Sequence, residues 1–374
     1  LHRVDRRQRQ MCIRDRGSGA ETARLLASRG AKAITICGRQ ENKGLEVKNQ
    51  IEKLGTECLY IKADLKNVDD CKKIVSETDK KFGTINTLIN SAAISERGNQ
   101  IAEVITSEVG TPINYSKMAM VGTPRVVARS YAKILDTFEW EEEVRNSLIV
   151  KEPIGVVGMI TPWNFPLHQK IGKVAPALAS GCTMILKPSK EAPLNAFILA
   201  DIIHDCGIPK GVFNLVSGHG REIGKAISSH PEVDMVSFTG STAAGISVSK
   251  EASETVKRVT LELGGKSANI ILDDADMAKA AKMSIYSCFN NSGQECSSLS
   301  RLLIPSSHRE EIMEVISNTM ERYSVGDPMD ESIKCGPMVS ESQQKSVSGY
   351  ISKGISEGAT VISGGLGTPE GVSR

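Results

Sequence analysis

Three side chains in the second half of the chain have types and surroundings suited to joint chemistry. Cys296 lies in FNNSGQECSSLSR, where Asn291 and Gly293-Gln294 favour a turn and the following serines leave the sulfur accessible. A thiolate in such a place is a strong nucleophile. Glu262 lies in LELGGKS, where Gly264-Gly265 can bend the chain at a strand end and present a carboxylate able to take up a proton. Asn164 lies in TPWNFP, on the loop leaving another strand, and offers an amide N–H donor. Each also has an ordinary explanation taken singly. Glu262 suits a solvated strand-end charge, and Asn164 a turn former beside Pro166. Glu295, next to Cys296, either opposes thiolate formation or faces solvent.

The elements that must hold these residues are legible from hydrophobic periodicity. From Gly17 the chain alternates helices with short apolar strands: a helix at 20–29 stopped by Gly30, the strand AITIC, a charged helix at 41–54, and the strand CLYIKADL. DCKKIVSETDKKF then reads as a helix and TLINSAA as a strand with a polar end. The alternation breaks near Ser95–Gln100. A long helical stretch follows from Ile101 to about Trp140, interrupted at Gly110–Pro112 and Gly122–Pro124. A second series starts with PIGVVGMITPW and continues through CTMILKPS, GVFNLVSG, DMVSFTGS and VTLELGGKSANIIL, five strands that make a second parallel sheet. From Met277 a further α/β unit runs into the loop GGLGTPEGVSR.

Composition narrows the function classes. The 374 residues are 40% hydrophobic and 24% charged, an ordinary mix for a soluble chain of two or three domains. A formal net charge of +2 argues against nucleic acid or a membrane surface as partner. No apolar stretch approaches the roughly 20 residues of a membrane-spanning helix. The nine cysteines form no CxxC pair, so they read as free thiols of a reducing, cytoplasmic compartment, with no metal site. The first sixteen residues, LHRVDRRQRQMCIRDR, hold six arginines and no apolar run, and read as a disordered or artefactual leader.

In their order and spacing, the segments around Asn164, Glu262 and Cys296 resemble the aldehyde dehydrogenase superfamily from about Ile101 to the C-terminus. The resemblance implies NAD(P)-dependent oxidation of a small-molecule aldehyde to a carboxylate through a thiohemiacetal and a thioester on Cys296. Asn164 would then stabilise the oxyanion and Glu262 act as general base. It further implies that Lys187, Ser189 and Lys190 of LKPSK, with Gly218 and Trp163, bind the cofactor. Gly240, Ser241 and Gly245 of FTGSTAAG would admit its pyrophosphate to a helix N-terminus. Members preferring NAD often carry Glu where this chain has Lys190, which would attract a 2′-phosphate, so either NAD or NADP is expected. The family suggests a homo-oligomer, but its later Glu-x-Phe-Gly-Pro motif and oligomerisation segment find no match before Arg374.

The first half is similar to the short-chain dehydrogenase/reductase family over about 17–98. Gly17-x-Gly19 opens a helix, Arg39 and Asp64 follow the second and third strands, and Asn90-Ser-Ala-Ala93 ends the next. The family's Tyr-x-x-x-Lys has no counterpart, since Tyr115-Ser-Lys117 has the wrong spacing, so a carbonyl reductase reading of this half is disfavoured. The expected fold is α/β, with two Rossmann-like parallel-sheet units, the second followed by a partial aldehyde dehydrogenase catalytic domain. The expected divisions are a leader at 1–16, a partial reductase-like unit at 17–98, a nucleotide-binding domain at 99–262 and a partial catalytic domain at 263–374. The competing expectation is a non-catalytic nucleotide-binding fragment of a chimeric or truncated reading frame.

Overall fold

A computed structural model of the chain describes residues 12–14, 18–65, 67–83 and 92–367. Chain contacts divide it into two compact units that part between Arg97 and Gly98, with Asp205–Gly207 assigned to the first.

The first unit is a parallel sheet with helical crossovers. It comprises β1 (Cys12–Arg14), α1 (Ser18–Ser28), β2 (Ala33–Gly38), α2 (Glu41–Glu52), β3 (Glu57–Lys62) and α3 (Val68–Phe82), with strand order β1-β2-β3. Every residue of β2 is buried, as expected of a parallel strand covered on both faces. Ala23, Ala27, Ile34, Ile36, Val47 and Ile51 form its core. Gly44 lets α2 approach β3, since a Cβ there would stand 2.0 Å from the Tyr60 ring. The leader requires a correction. Cys12–Arg14, expected to be disordered, pair in parallel with Thr35–Cys37. The physical reason is that the edge of β2 carries backbone donors and acceptors that need partners. Gly17 and the Asn90–Ser91 end of TLINSAA lie outside the described residues.

The division falls within α4 (Ala92–Val109), and α5 (Ile113–Tyr115), a π-helical turn at Ser116–Gly122 and α6 (Thr123–Ile134) follow in the second unit. The expected break at Gly110–Pro112 is present, with Gly110 at φ 81°. At Gly122–Pro124 there is no break: Pro124 sits in the first turn of α6, where its missing N–H is not needed. The helical stretch also stops short of Trp140, giving way to an exposed antiparallel hairpin of β4 (Glu141–Val144) and β5 (Ser147–Val150). Its turn carries Arg145 at φ 56°. The EEE run masked it, because alternation of apolar and polar residues is absent from a strand that buries nothing.

The chain continues through β6 (Val156–Ile160), α7 (Pro166–Ala179), β7 (Thr183–Lys187), α8 (Leu194–Asp205), β8 (Phe213–Leu215), α9 (Lys225–Ser229), β9 (Met235–Gly240), α10 (Thr242–Ser253) and β10 (Arg258–Leu263). These strands form one parallel sheet of order β10-β9-β6-β7-β8. One core cluster sets α7 and α8 against β6 and β7 through Met159, Leu167, Val174, Met184, Leu186 and Leu199. Another sets α10 against β9 through Val236, Phe238 and Val248. Because the chain starts at the central β6, builds outward to β8 and then returns to β9, the order reverses between β6 and β9. Ligands of open parallel sheets bind outside the carboxyl ends of the strands at such a point.

VTLELGGKSANIIL, expected as one strand, is two. Gly264–Ser267 separate β10 from β11 (Ala268–Ile270), which pairs with β12 (Arg301–Leu303) in a sheet of its own. Two successive glycines let the chain leave the first sheet, which a continuous apolar reading cannot detect. α11 (Met277–Phe289), α12 (Arg309–Met320) and α13 (Glu341–Ser356) complete this part. Among the described residues no helix is long and apolar enough to cross a membrane, and no cluster of His, Cys, Asp or Glu could hold a metal ion.

Candidate active site

The strand order gathers the singled-out residues along one edge. Trp163 and Asn164 follow β6; Lys187 ends β7, with Ser189 and Lys190 just beyond; Gly218 follows β8; Gly240 ends β9, Ser241 follows it, and Glu262 lies near the end of β10. The register holds these ends level, with Ile160 opposite both Lys187 and Phe238 and Glu262 opposite Thr239.

Cys296 reaches this edge on a loop whose shape is specified by buried amides. α11 ends at Phe289, and the next residues turn left-handed: Asn291 at φ 50°, Ser292 at φ 56° and Gly293 at φ 75°. Asn tolerates this region, but Ser costs of order 1–3 kcal/mol there unless held. The Ser292 hydroxyl is held twice, donating to the Gly336 carbonyl at 3.1 Å and accepting from the Gly336 N–H at 3.0 Å. Asn291, only 2% exposed, is the hub. Its Nδ2 donates to the Asn164 carbonyl at 2.9 Å and the Gln294 carbonyl at 3.3 Å, while its Oδ1 accepts from the Thr111 hydroxyl at 2.6 Å. Gln294 in turn accepts from the Val339 N–H at 3.0 Å. Finally, the Asn164 side chain donates to the Gln294 carbonyl at 3.1 Å. The amide donor and the cysteine loop are therefore tied together by hydrogen bonds, two residues from Cys296.

Cys296 itself is exposed, as is Glu262. Among the described residues neither is hydrogen-bonded to the other. What faces Glu262 electrostatically is Lys173 on α7, which sequence reasoning missed. Burial pushes the Lys173 ammonium down to about 8, against the opposing pull of the Glu262 carboxylate. Its Nζ donates to the Ser237 hydroxyl at 2.9 Å, and Thr260 donates to the same oxygen at 3.1 Å. The available signal was two lysines, Lys170 and Lys173, within the otherwise apolar helix PLHQKIGKVAPALA.

The remaining residues divide by what they touch. Lys187 is buried at 3% exposure and donates to the Pro188 carbonyl at 2.8 Å; burial lowers its pKa. Ser189 accepts from the Glu191 N–H at 3.3 Å, and exposed Lys190 lies 3.4 Å from the Glu191 carboxylate. Trp163 packs on the main core cluster. Gly218 adopts φ +149°, a conformation L side chains rarely take. Ser241 caps α10, accepting from the Ala244 N–H at 3.3 Å. Gly245 is buried, and a Cβ there would stand 2.6 Å from Leu263. The glycine thus serves the packing of α10 against β10, where helix and strand approach closely. In the first unit, Arg39 and Asp64 lie 3.8 Å apart as an exposed ion pair. Lys117 is engaged by Glu331 at 2.8 Å, so Tyr115-Ser-Lys117 forms no catalytic couple.

The site is thus a parallel sheet with a switch point, an exposed cysteine on a loop and an amide side chain hydrogen-bonded to that loop. Residues 88–373 match the aldehyde dehydrogenase family, to which the chain belongs. Residues 14–133 match the short chain dehydrogenase family, as the first half leads one to expect. The chain is 47% identical over 283 residues to a 3-succinoylsemialdehyde-pyridine dehydrogenase of a Pseudomonas species, covering 75% of this chain and 59% of that protein. It is 44% identical over 277 residues to a putative aldehyde dehydrogenase of Staphylococcus haemolyticus, covering 74% and 58%. The chain thus spans under two thirds of the length of these relatives. Among solved structures, aldehyde dehydrogenase C from Pseudomonas syringae, a Cys-to-Ala variant complexed with NAD+ and octanal, superposes with a TM-score of 0.74 at 43% identity. That match covers 75% of this chain and 57% of that one. An aldehyde dehydrogenase from Bartonella henselae gives a TM-score of 0.73 at 41% identity, over 75% and 60%.

Proposed function

We propose that the chain oxidises a small-molecule aldehyde to a carboxylate at Cys296 with NAD or NADP. The observation that carries this is the hydrogen-bonded link between Asn164 and the cysteine loop at the carboxyl edge of the sheet. An aldehyde has no leaving group except hydride, so a nucleophile must first make its carbon tetrahedral. Attack by the Cys296 thiolate forms a C–S bond and a thiohemiacetal oxyanion. The Asn164 amide and the Cys296 backbone N–H receive that charge, each donor contributing about 3–4 kcal/mol in comparable sites. NAD or NADP, when bound, would supply the hydride acceptor needed for the thiohemiacetal carbon on Cys296 to reach the thioester level. Glu262 then takes a proton from water, whose oxygen attacks the thioester carbonyl; the C–S bond breaks and Cys296 is regenerated. A carboxylate in this role favours hydrolysis over transfer to a thiol acceptor.

The carboxyl edge fits a dinucleotide. The first turn of α10, capped by Ser241 beside Gly240, is exposed and presents backbone N–H groups and the positive end of the helix dipole. On either side of the switch point, the buried hydroxyls of Thr161 and Thr239 have no hydrogen-bond partner among the described residues. Lys187, Ser189 and Lys190 would meet the adenosine ribose and Trp163 the nicotinamide. Lys190, exposed and paired among the described residues with the half-buried Glu191, stays available to a 2′-phosphate. Replacing it, as Lys190→Glu, is expected to lower the NADP/NAD ratio of kcat/KM by about tenfold or more, since attraction becomes repulsion. An unchanged ratio removes Lys190 from cofactor choice.

The test of the function is aldehyde-dependent formation of NAD(P)H, followed by absorbance, in the intact chain and in Cys296→Ser. Turnover in the first, with loss of at least about a thousandfold in the second, is expected. Cofactor binding without turnover or hydrolysis of an activated ester would instead make the chain a nucleotide-binding protein.

A further inference from the structure

We propose that Glu295 makes the substrate site selective by charge, favouring aldehydes that carry an ammonium group over those that carry a carboxylate. The inference rests on aldehyde oxidation at Cys296 and names the substrate class for that site. Glu295 directly precedes the nucleophile and is half-buried. Among the described residues no lysine or arginine forms an ion pair with it; its carboxylate accepts from the Ser297 hydroxyl at 2.8 Å, a neutral donor. The negative charge beside the reacting sulfur is therefore not cancelled by the protein.

One aromatic ring, that of Tyr115, lies within electrostatic reach of that charge. Tyr115 is close enough to feel it: burial, then the Glu295 carboxylate, then Tyr286 raise the Tyr115 phenol to about 12. The Tyr115 ring meets Phe165 edge-on, with centroids 6.4 Å apart and an interplanar angle of 76°. Phe165 follows Asn164, so this pair belongs to the oxyanion side of the site. Tyr115 is carried on α5, directly after the segment in which Thr111 donates to Asn291, so the hydrogen bonds that shape the cysteine loop also fix the ring. A carboxylate with no cationic partner among the described residues, one residue from the reacting sulfur, attracts a cation by charge. The same carboxylate repels a second carboxylate. A neutral aldehyde feels neither effect.

Two measurements on the full chain test this. In the first, Cys296 is labelled with a cationic trimethylammonium methanethiosulfonate or an anionic sulfonate one, and modification of its peptide is timed by mass spectrometry. The cation-to-anion rate ratio is expected to fall about tenfold in Glu295→Gln, consistent with a half-screened charge within several ångströms. Exposed Cys206 serves as the internal reference, with an unchanged ratio. Equal ratios at Cys296 in both proteins overturn the proposal. In the second, kcat/KM is compared for 4-trimethylammoniobutanal and its neutral carbon isostere 5,5-dimethylhexanal, with succinic semialdehyde as the anionic member. The cationic-to-neutral ratio is expected to drop about tenfold in Glu295→Gln, and the anionic-to-neutral ratio to rise. A parallel loss on all three aldehydes would mark Glu295 as merely structural and overturn the proposal. The labelling arm needs no turnover. A chain that shows the labelling difference but oxidises no aldehyde keeps the charge assignment and loses the catalytic reading, whereas turnover without any charge preference does the reverse.

Discussion

Asn291 is the residue on which the cysteine loop depends. It was expected only as a turn former, and the left-handed φ confirms that part. Its larger task, bridging the Asn164 carbonyl, the Gln294 carbonyl and the Thr111 hydroxyl, comes from segments 127 and 180 residues away. Asn291→Ala strands these buried groups, each costing about 1–3 kcal/mol, and adds a smaller penalty for alanine at positive φ. We expect a loss of about 2–5 kcal/mol in denaturant unfolding, together with a fall in kcat larger than any change in KM. A variant as stable and as active as the parent would show that the loop is held by other means. Lys173 carries the same lesson. Its spacing from Asn164 is visible in the sequence, but its place near Glu262 depends on the fold bringing Lys173 to Ser237 of β9, the strand beside β10.

At the scale of elements, α7 presents a feature that its apolar pattern conceals. Lys170 shares the buried stripe with Leu167, Val174 and Ala177, and is fully buried. Its Nζ donates to Asn195 Oδ1 at 2.6 Å, and Asn195 Nδ2 donates to the Glu108 carboxylate at 2.8 Å, linking α7, α8 and α4. Burial pushes the Lys170 ammonium down to about 7, with Glu108 opposing the shift. Because the folded pKa lies below the unfolded value of 10.5, the unfolded chain binds more protons between the two. Stability should therefore rise with pH across that window, by up to about 1.4 kcal/mol per pH unit, and the penalty for burying the charge is in full force below about pH 7. Urea unfolding from pH 7 to 10 is expected to show this slope in the parent and a flatter one in Lys170→Met. The variant's overall stability is a separate matter, since Asn195 Oδ1 loses its donor. Parallel slopes would refute the assignment. The element boundaries missed from sequence have related causes: β4 and β5 bury nothing and so lack alternation, and β10 and β11 read as one run because both are apolar.

For the whole molecule, the sequence determined the chain order of the candidate residues and the alternation that makes two parallel sheets. These follow from local physics: side-chain chemistry, periods of two and 3.6, and the turn preferences of Gly, Asn and Pro. The strands that end beside Asn164 and Glu262 are legible on that basis, whereas the roles expected of Cys296, Glu262 and Asn164 come from the family resemblance of the segments that carry them. Sequence does not show that β6 is central and that β9 returns to its far side, because strand order is decided by burial between segments distant in the chain. The parallel direction of the strands brings the loops after β6, β7, β8 and β9 and the end of β10 to one edge, and their order decides which of them are neighbours. Only the tertiary structure could give Gly245 to helix packing, Asn291 to the cysteine loop and Lys173 to Glu262. Each partnership joins groups whose separation along the chain carries no periodic signal, so only the packing of distant segments brings them together.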